Sequence, residues 1–361
     1  SWAYSAPSNY VALNTASLPT PTIADGSTAF GALTYSGNGN ARTLTGLNMN
    51  PDFIWIKSRS TAQKHVLVDS VRTTSTGEYL ASNSTQAEGT GVHISGTTDG
   101  ITIADPNAST IWYNDSSHTY VAWAWDAGSS TVSNTDGTIT TNLRANATAG
   151  FSIATYSGSG SSGDTLGHGL NAEPEFVIVK ARTKIDDFRV YHKGAGTGYY
   201  LRLNSDHAKT SGGNWQSVSS TTLALDSDSA VNSSSHTYVA YFFAPVAGYS
   251  AFGSYTGTGA GSTGPFNYCG FRPALVAVKR TDSSGWWSVW DTKRDLDNPA
   301  GKNVWWNDTY YEIDSSQYRI DILSNGFRMR SGHAERNASG GTYVWLAFAE
   351  NPFQANGGLA R

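Results

Sequence analysis

The run Gly158-Ser-Gly160-Ser-Ser-Gly163 has the spacing with which a glycine-rich turn brings a dinucleotide pyrophosphate to the N-terminus of a helix. That chemistry needs a helix directly after the turn. Here the chain runs through His168-Gly169 into a proline-led apolar stretch, so the segment reads as a hairpin loop between strands. His118 and His236 each stand directly before Thr-Tyr-Val, a placement open to a general base. No carboxylate or nucleophile recurs at fixed spacing with them, so no Ser-His-Asp set is nominated and the two histidines read as turn contacts. Asp69 with Arg72, and Asp291 with Arg294, share an Asp-x-x-Arg spacing and read as surface ion pairs at strand ends, worth well under about 1 kcal/mol each. Asp226-Ser-Asp228 resembles part of a calcium loop but lacks the glycine and terminal glutamate of an EF-hand. Cys269 is the only cysteine, which rules out an intrachain disulfide and a cysteine-based zinc site; no cofactor and no metal is expected.

Aromatic side chains are the chemistry this sequence holds in quantity. Trp55, Trp123, Trp125 and Trp345 lie in apolar runs that recur along the chain and are expected in the core. Trp286, Trp287, Trp290, Trp305, Trp306, Tyr310 and Tyr311 instead cluster in one region, at positions where the corresponding runs elsewhere carry mostly polar, Gly or smaller residues. Neighbouring residues on a strand point to opposite faces, so one tryptophan of each adjacent pair is expected at the surface. An exposed indole is a platform for a sugar ring or an anchor for an interface, which makes Trp286, Trp287, Trp305, Trp306 and Tyr310 the candidate ligand-binding residues. The competing expectation is that they fill a larger core or a contact with a neighbouring domain or subunit.

These side chains must be held by strands. Tyr35-Ser-Gly-Asn-Gly recurs as Tyr156-Ser-Gly-Ser-Gly and Tyr255-Thr-Gly-Thr-Gly, each followed by a proline-led run ending in lysine: Pro51 to Lys57, Pro174 to Lys180 and Pro273 to Lys279. A closing run follows in the same order, Thr119-Tyr-Val-Ala-Trp-Ala-Trp125, Thr237-Tyr-Val-Ala-Tyr-Phe-Phe243 and Thr342-Tyr-Val-Trp-Leu-Ala-Phe348. From the first tyrosine to the tyrosine of the closing run the separations are 85, 82 and 88 residues, close enough to indicate three copies of one unit. Within a copy, β-branched and aromatic runs alternate with Gly, Ser, Asn and Asp turns, the pattern of an antiparallel sandwich with roughly seven to nine strands. In the closing run Tyr120, Ala122 and Ala124 share one face and Val121, Trp123 and Trp125 the other; both faces are apolar, which marks a central strand.

The expected fold is therefore all-β, with three tandem antiparallel β-sandwich repeats of jelly-roll or lectin-like type forming a rod or a compact string. Residues 1–29 form an N-terminal segment, 30–128 the first repeat, 129–150 a Ser/Thr/Asn-rich linker, 151–248 the second repeat, 252–353 the third and 354–361 a C-terminal tail. A net charge of -4 supplies no basic field for a phosphate backbone, so nucleic acid is not an expected partner. No stretch approaches 18 apolar residues, so no membrane span is expected.

Tyr120-Val-Ala-Trp-Ala-Trp-Asp-Ala-Gly128, Asn134-Thr-Asp-Gly-Thr-Ile-Thr140, Arg144-Ala-Asn-Ala-Thr-Ala-Gly-Phe-Ser-Ile153, Gly167-His-Gly-Leu170, Gly270-Phe-Arg-Pro-Ala274, Leu323-Ser-Asn-Gly-Phe327 and Ala347-Phe-Ala-Glu-Asn-Pro-Phe353 resemble segments of tail-fibre-like structural proteins of tailed bacteriophages. The resemblance covers nearly the whole chain and brings no catalytic residue with it. It implies a non-enzymatic, extracellular virion component, a tail fibre or receptor-binding appendage, with other virion proteins and a host-surface glycan as partners. It also implies a homo-oligomer, expected to be a trimer. Tyr4 to Ile23 resembles the end of a lectin-like module, which implies that this chain is the C-terminal part of a longer polypeptide and that the third repeat is distal. Two other classes remain open: a capsid-decoration or filament-forming protein, and a secreted glycan-active enzyme or carbohydrate-binding module.

Overall fold

Pro51 and Pro174 each lead into a strand, Phe53–Ser58 and Phe176–Ala181, and Pro273 lies near the start of the strand Arg272–Arg280. Proline suits these places because it lacks the N–H that a strand interior would need. The computed structural model describes residues 22–72, 75–104 and 110–351, so most of the expected N-terminal segment and the expected tail lie outside the described residues. The described chain is of the all-β class, its strands paired antiparallel in several sheets; its two α-helices, Ser229–Asn232 and Ala334–Asn337, are four residues long.

Each proline-led strand lies between a closing strand and a third strand. Phe53–Ser58 pairs with Thr119–Trp125 and Val66–Asp69; Phe176–Ala181 with Thr237–Phe243 and Arg189–His192; Arg272–Arg280 with Thr342–Asn351 and Ser288–Asp291. On its other side each closing strand takes an opening strand, Phe30–Ser36, Phe151–Ser157 or Ser250–Thr256. The registers agree: Tyr35 faces Tyr120, Tyr156 faces Tyr238 and Tyr255 faces Tyr343, with stacked rings 5.2, 5.1 and 4.8 Å apart. The closing-strand tyrosine has one task in all three sheets. Its hydroxyl donates to a carbonyl nine residues upstream (Ile111, Ser229, Ala334) and accepts the N–H of Asp115, Ser233 or Ala338, which ties down the loop before the strand.

Side-chain alternation then builds two kinds of core. One face of each large sheet covers a three-stranded sheet, such as Arg42–Thr45, Gly100–Ile103 and Ile94–Thr97 beneath the first, giving the chain its β-sandwich character. In the first sandwich Ile54, Ile56, Ala122 and Ala124 pack on Leu44, Ile101 and Ile103. The opposite face, with Phe53, Trp55, Val121, Trp123 and Trp125, packs on Phe151, Phe176, Tyr241 and Phe243 of the second large sheet and Phe348 of the third.

That second core replaces the expected rod or string. Trp125, Phe243 and Phe348, the last aromatic residues of the three closing runs, meet one another edge to face at 6.2, 5.6 and 5.8 Å, so the three large sheets converge on one centre. The physical reason is the bulky second face, which no small sheet covers and which the sheets therefore bury against each other. The expected linker is also more ordered than its composition suggests. Val132–Asn134 and Thr141–Asn146 extend the second large sheet, and the Ile139 N–H donates to the Thr165 carbonyl at 3.0 Å, because Leu143 and Ile139 supply apolar side chains to the core between the second large sheet and its own three-stranded sheet.

Candidate ligand-binding surface

Where two large sheets meet, a loop beside one sheet lies along the strand end of its neighbour, and the lysine closing each proline-led run fastens it. Lys57 Nζ donates to the carbonyls of Ser58 and Thr309; Lys180 Nζ to those of Thr85 and Asp186; Lys279 Nζ to those of Asp206, His207 and Arg280. Backbone bonds repeat alongside: Gln63, Asp186 and Gly285 donate to Thr309, Thr85 and Asp206, and Glu312, Glu88 and Lys209 donate to Arg59, Arg182 and Thr281. All three lysines are buried, and burial pushes their amines down, to about 7 for Lys57 and Lys279 and about 8 for Lys180. The loops are anchored at their other end by Asn83, Asn204 and Asn307, whose side-chain oxygens accept the N–H of His65, Phe188 and Trp287.

The Asp-x-x-Arg pairs belong to these seams and are not surface pairs. Asp69, Arg72, Asp291 and Arg294 have fully buried side chains. Each aspartate accepts two backbone N–H groups of the turn that follows it, and each arginine also reaches a strand carbonyl, Leu67 or Val289. Each arginine then meets a glutamate, Glu88 or Glu312, which pairs with an arginine of the neighbouring sheet, Arg182 or Arg59. Buried charges of this kind persist only when their hydrogen bonds are complete, and these guanidinium groups are held on several sides.

The structure separates the candidate aromatic residues. Trp287 is buried and donates its indole N–H to the Arg202 carbonyl at 2.9 Å, across to the second sheet's territory. Trp306 is buried against Trp55 of the first sheet, stacked at 4.5 Å. Trp305, on the opposite face, is 1 % exposed, with Trp286 edge-on at 4.9 Å and Tyr318 at 5.3 Å. The expected surface member of that pair is therefore closed in, because both faces of its strand are packed. What remains open is Trp286, half-buried, together with Tyr310 and Tyr311, 45 % and 46 % exposed and 5.6 Å apart. These three residues, laid over Trp305 beside the seam loop, form a continuous aromatic surface.

The remaining sequence candidates serve local structure. His118 and His236, directly before each closing strand, lie within 3.2 and 3.1 Å of the hydroxyls of Ser60 and Thr183, which follow the neighbouring proline-led strands. The Gly158–Gly163 segment lies between strands Phe151–Ser157 and Thr165–Gly167, with Gly158 and Gly160 N–H donating to His236 and Asn232. Asp228 caps the short helix Ser229–Asn232, and Asp226 accepts from Ser162 and Ser227. Lys64, Tyr79 and Trp112 were missed by sequence reasoning: the Lys64 ammonium lies 3.6 Å from the centre of the Trp112 ring and 5.1 Å from that of Tyr79. A signal existed, since Lys64 precedes His65 as Trp286 precedes Trp287.

A family model described as a domain of unknown function, DUF7483, matches residues 25–352. No curated protein and no solved structure matches the chain.

Proposed function

The chain belongs to the DUF7483 family of domains of unknown function, and from that premise, which fixes no activity, we propose that it is a non-enzymatic receptor-binding or tail-fibre component of a phage virion that contacts host-surface glycans. The observation that carries this reading is the aromatic surface of Trp286, Tyr310 and Tyr311. Aromatic faces bind sugars by covering the apolar C–H side of the ring, which needs no net charge on the protein. A rigid support favours such a site, because side chains already fixed in place lose little entropy on binding. The fastened loop between Thr309 and Glu312 is such a support.

The architecture in this reading is three copies of one sandwich unit in a single chain, closed around the Trp125, Phe243 and Phe348 centre. Each unit grips the next in one rotational sense: the lysine of the first reaches the third, that of the second reaches the first, and that of the third reaches the second. Head-to-tail contacts of this kind close when the rotation returns to its start. The trimer anticipated for a fibre thus has its counterpart inside one chain, and the Asp/Arg/Glu/Arg networks at two of the three seams hold it closed.

Gold-labelled antibody against the chain, imaged on virions, tests the setting. Label at the tail or its appendages supports the proposal. Uniform label over the head would replace it with a decoration protein, and release of reducing sugar from a polysaccharide by the purified chain would replace it with an enzyme.

A further inference from the structure

The first unit carries, at the place equivalent to the aromatic surface, an open hollow of about 350 Å³, lined among others by Lys64, Tyr79, Ser84, Gln86 and Glu88. The equivalence follows from the backbone. Thr85 and Thr309 accept bonds from the same two partners of a neighbouring unit, a proline-led lysine and a main-chain N–H, so Gln86 occupies the place of Tyr310. Lys64 likewise occupies the place of Trp286, each directly preceding the residue whose N–H the seam asparagine accepts. The second unit has Asp187 and His207 at these two places, and Asp187 there is bound by Arg202 and Arg189. One position in a constant frame therefore carries three chemistries: an ammonium with aromatic walls, an ion-pair network and an aromatic platform. Residues of differing chemistry carried at one exposed place on a repeated scaffold are the usual arrangement of binding positions.

The charge at the first unit's hollow is specific. Glu88 in its wall is neutralised by Arg182 and Arg72. Lys64 donates to the Tyr79 hydroxyl at 3.2 Å and is held over the Trp112 ring, and among the described residues no carboxylate forms an ion pair with it. An ammonium fixed by one neutral hydroxyl and two ring faces has donors left for an anion. The volume lies in the range of small-ligand sites, and the Gln86 amide stands exposed at the rim.

We propose that the Lys64 hollow binds a carboxylate-bearing sugar unit, the ammonium, steadied by the Trp112 ring, taking the carboxylate, the Tyr79 ring facing the pyranose, and Gln86 and Ser84 meeting its hydroxyls. This rests on the glycan-facing reading of the equivalent aromatic surface, and extends it to a second site of different chemistry on the same chain.

Titration of the full chain with a hexuronate-containing disaccharide and with its neutral hexose counterpart, followed by tryptophan fluorescence and calorimetry, tests it. The acidic probe is expected to bind more tightly than the neutral one and to weaken as salt rises. Lys64→Gln should weaken it about tenfold or more at unchanged melting temperature, and Trp286→Ala with Tyr310→Ala should leave it unchanged. No binding of the acidic probe, equal binding of the two probes, or equal binding by Lys64→Gln would each overturn the proposal. The two readings fail separately: a glycan bound at Trp286 and Tyr310 while the acidic probe ignores Lys64 removes only this site, and the converse removes only the aromatic one.

Discussion

The Tyr241 hydroxyl donates a 2.7 Å hydrogen bond to the buried Asp69 carboxylate, joining positions 172 residues apart in the chain. At the equivalent place in the next seam Trp123 donates its indole N–H to Asp291 at 2.9 Å. In the third seam the matching residues are Leu346 and His192, and the bond is remade differently. His192 Nδ1 accepts the Gly194 N–H, so its Nε2 carries the proton and donates to the Trp345 carbonyl at 3.0 Å. Two seams are thus carboxylate-centred and one is imidazole-centred, and they should respond differently to mutation and to pH.

Removing the carboxylate takes from a buried guanidinium one of its two carboxylate partners and leaves two backbone N–H groups of the turn without their acceptor. Asp69→Ala and Asp291→Ala are each expected to cost about 3 to 5 kcal/mol in urea unfolding. Tyr241→Phe, which removes one hydrogen bond, should cost about 1 kcal/mol. A cost below about 1 kcal/mol for both aspartate variants would show that the seams do not depend on these pairs.

The imidazole seam predicts an acid sensitivity. Burial pushes His192 down to about 4, against about 6.5 in an unfolded chain. Between those values the unfolded chain binds a proton that the folded one refuses, so the His192 contribution is complete above about pH 6.5 and is lost as pH falls towards 4. From pH 7.5 to pH 5 this amounts to about 2 kcal/mol. Urea unfolding of His192→Gln at the two pH values should show a drop smaller by about that amount; an identical drop would place the acid sensitivity elsewhere.

Buried and open aromatic residues of the third unit should separate cleanly. Trp306→Ala opens a cavity against Trp55 and is expected to cost about 3 to 5 kcal/mol. Tyr310→Ala, at 45 % exposure, should change stability by no more than about 0.5 kcal/mol. Thermal melts of the two variants check this, and similar losses in both would contradict the division into core and surface.

The strand pattern was legible because alternation is a local property. Tyr120, Ala122 and Ala124 against Val121, Trp123 and Trp125 already gave two apolar faces, and the structure sends the first set to a small sheet and the second to the common centre. The seams were not legible, because their partners lie far apart in sequence and share no period. Asp69-x-x-Arg72 reads as a surface pair until Arg182, Glu88 and Tyr241 close around it. Trp305 and Trp306 were expected to split between core and solvent; the strand does turn them to opposite faces, but Trp286 and Tyr318 cover the outer one. Of the candidate platform only Trp286 and Tyr310 remain accessible, and Tyr311 joins them.

Glycan recognition at that surface is tested most directly by binding of host-cell surface polysaccharide to the intact chain and to the variant Tyr310→Ala, Tyr311→Ala, read alongside melting temperature. Loss of binding by about tenfold or more, with melting unchanged, is the expected result, since both rings are open and neither fills the core. Undiminished binding by the folded double variant would contradict it.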